Sequence, residues 1–255
     1  MIPVEIRGIR IGEGIPKICI PIVGETEEEI ETEAYAVREA APELAEWRAD
    51  CFEQVLEEAA VRRVLKKLRS ILGDMPLLFT FRSHREGGSR EISTWEYADL
   101  GLLAASAEEV DLIDVEAFTS EEVVREMIDA AHRCGKKVIA SYHDFHKTPE
   151  KEEMVDRLVK MQETGADICK LAVMPGSSRD VLELLAATEE MVRCHADCPV
   201  ITMSMAKTGA VSRISGELTG SAVTFGTAGR ASAPGQMEAG QLREILGLLH
   251  VLGDA

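Results

Sequence analysis

One lysine lies in the middle of an apolar run, Asp167-Ile-Cys-Lys170-Leu-Ala-Val173, with no carboxylate beside it in sequence. Burying such an amine disfavours its ammonium form and leaves a nucleophile able to attack a carbonyl carbon. The plainer alternative is a strand-tip lysine that reaches water or pairs with a glutamate. A second apolar run, Val138-Ile-Ala-Ser-Tyr-His143, ends in an imidazole, the natural proton carrier for the carbon next to an imine. Alone, a histidine there is more often structural. Glu86, in Arg82-Ser-His-Arg-Glu86-Gly-Gly, could orient that ring or hold its charge.

Arg48, Arg82 and Arg213 fall at or after the ends of apolar runs in a chain with a large acidic excess. Cations gathered there imply an anion, because guanidinium pairs with carboxylate or phosphate through two hydrogen bonds. Each arginine taken singly is more often a surface ion pair. The late segment Gly226 to Gln236 is rich in glycine and small residues and reads as a mobile lid or a phosphate cradle. It matches neither the P-loop nor the dinucleotide fingerprint, so it supports no nucleotide site.

These groups must be positioned by elements that recur along the chain. Eight apolar runs of strand length occur, at Lys17–Val23, Glu43–Asp50, Pro76–Arg82, Asp111–Val115, Lys137–His143, Asp167–Val173, Pro199–Ser204 and Ala222–Phe225. Charged segments with helical spacing separate them: Thr26–Glu39, Glu53–Leu72, Thr94–Ala107, Ser120–Cys134, Pro149–Thr164 and Ser178–Arg193, with Gln236–Val251 last. Thr26 and Ser120 precede acidic first turns, and Thr148-Pro149 reads as N-cap and first helical residue. Gly73, Gly135 and Gly165 stand where helices should stop.

Eight strand–helix units in about 250 residues predict an α/β fold, a (β/α)8 TIM barrel. We expect residues 1–255 to form a single barrel domain, with residues 1–16 as an N-terminal β-hairpin that turns near Gly8 and closes the bottom of the barrel. The short, polar stretch Lys207–Leu218 leaves a doubly wound open sheet as the alternative. In a barrel, reactive groups sit at the C-terminal strand ends. Strand alternation puts Glu46 with Arg48, Thr80 with Arg82, Ser141 with His143, Ile168 with Lys170, and Thr202 with Ser204, aimed at one axial cavity.

Composition narrows the function. With 28 Lys and Arg against 45 Asp and Glu, the net charge of -17 disfavours nucleic acid and anionic membrane surfaces. The six cysteines form no CxxC pair and no zinc spacing, so they read as reduced thiols. The N-terminus lacks a signal-like apolar stretch, and no segment approaches the roughly 20 apolar residues of a membrane span. A cytoplasmic enzyme is the expectation.

Glu46-Trp-Arg48, Phe79-Thr-Phe-Arg82 with Glu86-Gly-Gly, Ser141-Tyr-His143-Asp-Phe, Lys170-Leu-Ala and Arg230-Ala-Ser-Ala-Pro-Gly-Gln236 occur together, in order. In these motifs the chain resembles type I 3-dehydroquinate dehydratase, from about Pro16 to Gln236. The resemblance implies a homodimeric barrel of the shikimate pathway, in aromatic amino acid biosynthesis, that removes water from 3-dehydroquinate without metal or organic cofactor. It implies that Lys170 forms a Schiff base and that His143 carries the protons with Glu86 directed at its ring. It further implies that Glu46, Arg48, Arg82, Arg213, Ser232 and Gln236 contact substrate, Arg213 taking the carboxylate and Ser232 and Gln236 belonging to a closing loop.

Two other functions use the same residues. A class I aldolase also places an imine-forming lysine on a barrel strand, although its phosphorylated sugars call for a dedicated phosphate site rather than three scattered arginines. A non-catalytic barrel that binds a small carboxylic acid would use Lys170 only as an ion-pair partner.

Overall fold

The computed structural model describes residues 1–229 and 232–253, so Arg230 and Ala231 of the glycine-rich motif lie outside the described residues. The chain opens with a hairpin, β1 (Val4–Ile6) and β2 (Ile9–Ile11), turned by Arg7 and Gly8 at φ of 47° and 80°. Eight parallel strands follow in chain order: β3 (Lys17–Ile22), β4 (Leu44–Arg48), β5 (Leu77–Thr80), β6 (Leu112–Glu116), β7 (Lys137–Asp144), β8 (Ile168–Val173), β9 (Val200–Ser204) and β10 (Val223–Phe225). The helices between and after them are α1 (Glu27–Ala40), α2 (Glu58–Leu72), α3 (Thr94–Ser106), α4 (Glu121–Arg133), α5 (Lys151–Glu163), α6 (Ser178–Cys194), α7 (Gly216–Thr219) and α8 (Ala239–Gly253).

From β3 to β9 each strand pairs with its successor, and β10 returns to pair with β3, which sets aside the open doubly wound sheet. The seam between β9 and β10 is thinner. It is held by a bridge from Val200 to Ser221, by the Ala222 N–H on the Val200 carbonyl (2.8 Å), and by the Thr202 N–H on the Ser221 hydroxyl (3.0 Å). The polar stretch 207–218 becomes a 3-10 turn at Ala210–Arg213 and the short α7, so the seventh barrel helix is reduced to fragments. No helix among the described residues is long and apolar enough to cross a membrane.

The helices form where the sequence supplies both a cap and an apolar stripe. The Thr26 hydroxyl accepts the Glu29 N–H at the start of α1, and Ser93 with Glu96 and Ser177 with Asp180 form reciprocal capping boxes on α3 and α6. In α2, Val61, Val64, Leu65, Leu68 and Leu72 recur at helical spacing on the buried face, and Gly73 ends the helix at φ 62°. Three expected starts move, and the last of them is α8, which begins at Ala239 rather than Gln236. α2 begins at Glu58 rather than Glu53, after a 3-10 turn at Ala49–Cys51. α5 begins at Lys151, because the Thr148 hydroxyl donates to the Met174 carbonyl (3.0 Å) instead of capping a helix.

Strand alternation divides the interior in two. The first inward positions, Cys19, Leu44, Leu78, Leu112, Ile139, Ile168, Ile201 and Val223, form an apolar floor against which the hairpin packs Val4, Ile6 and Ile11. One step up each strand, two residues on, stand Glu46, Thr80, Asp114, Ser141 and Lys170, and the chemistry begins there. On β9 the expected phase is corrected. Thr202 faces outward, its hydroxyl 2.7 Å from that of Thr188 on α6, and Ser204 shares that outer face, its buried N–H donating to the Ser212 hydroxyl; Ile201, Met203 and Met205 take the inner positions instead.

Because Ile11 is fully buried between hairpin and floor, Ile11→Ala should lower unfolding free energy by about 2–5 kcal/mol. A urea midpoint equal to that of the unsubstituted protein would show that the hairpin contributes nothing to the floor.

Candidate active site

Lys170 lies mid-strand on β8, in register with Ser141 on β7 and Ile201 on β9, and only 4% of its surface is exposed. Its Nζ is 3.8 Å from Glu46 Oε1 and 3.8 Å from Asp114 Oδ2, outside hydrogen-bonding distance of both. The third neighbour is the face of Phe225, 4.3 Å from Nζ to the ring centroid. Lys170 is therefore neither in water nor directly hydrogen-bonded to a glutamate.

His143 stands near the end of β7. Its Nδ1 is 3.0 Å from Glu86 Oε2, and the same oxygen accepts the His143 backbone N–H at 3.0 Å. With Nδ1 donating to Glu86, Nε2 is the nitrogen able to take a proton. Burial, reinforced by the charges of Arg82, Lys170 and Arg48, pushes the imidazole well below its ordinary pKa and keeps it neutral. Burial pushes Glu86 well above the usual carboxylate range, Arg82 opposing and Glu116 and Asp114 adding to the rise. The two glycines after Glu86 are required by close approach: at Gly87, with φ of 82°, a Cβ would lie 2.3 Å from the Phe145 ring, and at Gly88 it would lie 1.8 Å from the Arg82 carbonyl oxygen.

Arg82 ties the floor of this chemistry together. It donates to Asp114 Oδ1 (2.7 Å), Ser141 Oγ (3.0 Å), Glu116 Oε1 (3.1 Å) and Glu86 Oε2 (3.3 Å). Burial alone would weaken its charge, but the three carboxylates outweigh that and hold its pKa well above normal. Asp114 and Glu116 were missed in the sequence reading. The alternation that exposed Lys170 also marks them, two acidic residues sharing one face of Leu112-Ile-Asp-Val-Glu116. Arg48 is bound by Asp50 through two hydrogen bonds of 2.7 and 2.8 Å, which keep it charged although buried.

The late loop covers the cavity. The Ser232 N–H donates to Gln236 Oε1 (2.8 Å), Gln236 Nε2 donates to the Ser232 hydroxyl (2.9 Å), and the Pro234 carbonyl accepts from the Ala206 N–H (3.2 Å). Beneath the loop lies a space of about 230 Å³ lined by Glu46, Arg48, Arg82, Glu86, His143 and Lys170, with Phe145, Met203, Met205 and Phe225 as its apolar part. Ser232 and Gln236 reach the same space.

Arg213 alone of the expected residues stands behind the wall. It donates to the carbonyls of Phe225 (3.3 Å) and Pro234 (3.2 Å), and its buried Nε has no partner among the described residues. Among the described residues no carboxylate pairs with it, and burial lowers its pKa to about 10. Among the described residues, too, no group of three or more His, Cys, Asp or Glu side chains is arranged to hold a metal ion.

Comparison with known proteins agrees with this fold. The sequence matches the model of one family, Type I 3-dehydroquinase, over residues 18–253. It is 51% identical over 251 residues to the 3-dehydroquinate dehydratase of Syntrophotalea carbinolica, covering 98% of this chain and 99% of that one. To the Salmonella typhimurium 3-dehydroquinate dehydratase it is 49% identical over 247 residues, covering 97% and 98%. The fold superposes on the crystal structure of the Clostridium difficile type I 3-dehydroquinate dehydratase with a TM-score of 0.95, at 50% identity and 98% coverage of both chains. A match across nearly the whole length, on a barrel with the same architecture, establishes that this chain belongs to the type I 3-dehydroquinase family.

Proposed function

We propose that the protein converts 3-dehydroquinate to 3-dehydroshikimate, a step of the shikimate pathway, through an imine on Lys170. The observation that carries the mechanism is the position of that amine: enclosed, held just beyond hydrogen-bonding distance of two carboxylates, and opening on the same small cavity as a neutral His143. The Clostridium difficile relative was crystallised with covalent modified comenic acid, which is in keeping with covalent chemistry in this fold.

Lys170 attacks the ketone and water leaves, giving an iminium. An iminium withdraws electrons far better than a ketone, so the adjacent C2–H becomes acidic enough for imidazole, and no free carbanion forms. His143 takes that proton at Nε2 while Glu86 holds Nδ1–H. The imidazolium then returns the proton to the C1 hydroxyl, which departs as water from the enamine. Hydrolysis of the remaining imine releases the conjugated product. The overhead loop limits solvent during these steps.

Binding follows from the remaining charges. Glu46, Arg48 and Arg82 line the cavity and address the hydroxyls of the ring, with Ser232 and Gln236 from above. Arg213, buried without a carboxylate among the described residues, supplies the positive potential for the substrate carboxylate, which competes with the Pro234 carbonyl for the guanidinium. A class I aldolase is less well served, since among the described residues no phosphate-sized cluster of donors accompanies the lysine in this cavity.

Lys170→Ala should lower turnover by about 10⁴-fold or more, the scale seen when a covalent nucleophile is removed. With 3-dehydroquinate and borohydride, the intact protein should gain a reduced adduct on the Lys170 peptide. Product formation by the variant at the normal rate, followed by ultraviolet absorbance of the conjugated enoate, would remove the imine.

The depressed pKa of His143 gives a second test. Because the base form persists below the ordinary histidine value of about 6.5, the acidic limb of kcat/KM assigned to it should lie below that pH. An acid limb that vanishes in His143→Ala but sits above about 6.5 in the unsubstituted protein would contradict the burial argument.

A further inference from the structure

The two oxygens of Asp114 are in different situations. Its side chain is fully buried at the second inward position of β6. Oδ1 accepts from Arg82 and from the Ser141 hydroxyl, each at 2.7 Å. Oδ2 is buried with no hydrogen-bond partner among the described residues and faces Lys170 Nζ at 3.8 Å. An acceptor buried in this way is unfavourable unless a donor arrives during function.

We propose that Asp114 is the counter-ion of the iminium nitrogen and accepts its N–H through Oδ2; this rests on the imine reading above. The condensation balances as R₂C=O + R′NH₃⁺ → R₂C=NH⁺R′ + H₂O. The C=N bond forms, the C=O bond breaks, and the oxygen leaves as water with two of the ammonium protons. The positive charge stays on nitrogen. Ammonium and iminium therefore present the same charge to Oδ2, and a carboxylate fixed by Arg82 and Ser141 needs no rearrangement between them. Only the protonated imine acidifies the neighbouring C–H, and in an enclosed site an unopposed iminium would shed its proton.

Glu46 lies at the same distance from Nζ, but its Oε1 already accepts the Thr80 hydroxyl at 2.9 Å, and the residue lines the cavity. Asp114 does not line the cavity. The division of labour is thus Glu46 for substrate and Asp114 for nitrogen.

Cyanoborohydride reduces an iminium far faster than a neutral imine. The mass of reduced Lys170 peptide, formed with 3-dehydroquinate across a pH series, therefore reads the protonation of the adduct. The intact protein should trap adduct undiminished from about pH 6 to about pH 9, because an opposite charge close by raises the pKa of a cation. In Asp114→Asn the pH at which half of the adduct remains trappable should fall by about one unit or more. Its kcat should drop about 10²-fold with KM changed by less than about threefold. Glu46→Gln should move the trapping midpoint less and raise KM. Ser141→Ala, which removes one bond to Oδ1 but keeps the charge, should leave the midpoint in place.

Intact protein that never traps at any pH fails the imine reading itself. Intact protein that traps only on the acid side of neutrality fails the counter-ion and leaves the imine standing, a result that decides the matter even if Asp114→Asn does not fold. A larger shift for Glu46→Gln than for Asp114→Asn, an unshifted Asp114→Asn, or a shift in Ser141→Ala as large as in Asp114→Asn would each overturn the assignment.

Discussion

Four buried carboxylates, Glu46, Glu86, Asp114 and Glu116, share the upper barrel with the cations Arg82 and Lys170, and the arrangement holds because Arg82 engages three of the four. Without it, like charges this close would repel, and the lysine would be the nearest remedy. A lysine drawn into a tight ion pair is a poor nucleophile. By absorbing Asp114, Glu116 and Glu86, the guanidinium lets the amine sit near two carboxylates without a hydrogen bond to either. Glu86 is in turn positioned to hold the imidazole ring. Both the proposed nucleophile, Lys170, and the proposed proton carrier, His143, are therefore conditioned by one side chain to which the proposal assigns no covalent step.

That cluster needs a rigid frame, which the lower barrel supplies. The floor of inward Leu, Ile and Val residues, sealed by Ile11 and its hairpin neighbours, carries only the Cys19 thiol as a weakly polar group among its described residues. Polar side chains begin only at the second inward step, on β4 to β8, and continue above it with Arg48, Arg82, Glu116 and His143. A register slip of one residue on any of these strands would exchange the polar layer for a mainly apolar one.

Most of this was legible in the sequence. The period-two runs gave all eight barrel strands in order, and an isolated lysine in an apolar run singled out β8 without help from any partner. The failures share a cause. In a barrel both faces of a strand are buried, so polarity alone does not say which face is inner. Thr202 reads as a cavity residue, yet it satisfies a hydroxyl on α6. Asp114 and Glu116 are not singled out by the sequence at all, yet they are the partners of Arg82. Long-range partnership of that kind, between residues about thirty positions apart in the chain, has no local signature. The position of Arg213 behind the wall was likewise invisible, since it depends on the path of the loop that carries Pro234.

The loop over the cavity meets its own needs: Ser232 and Gln236 satisfy each other, and the Pro234 carbonyl is shared by Ala206 and Arg213. A guest that replaces any of these contacts gains only the difference between the new bond and the old. The polar groups of the loop therefore add little net attraction for a guest beneath it, and what the cover contributes is enclosure rather than grip.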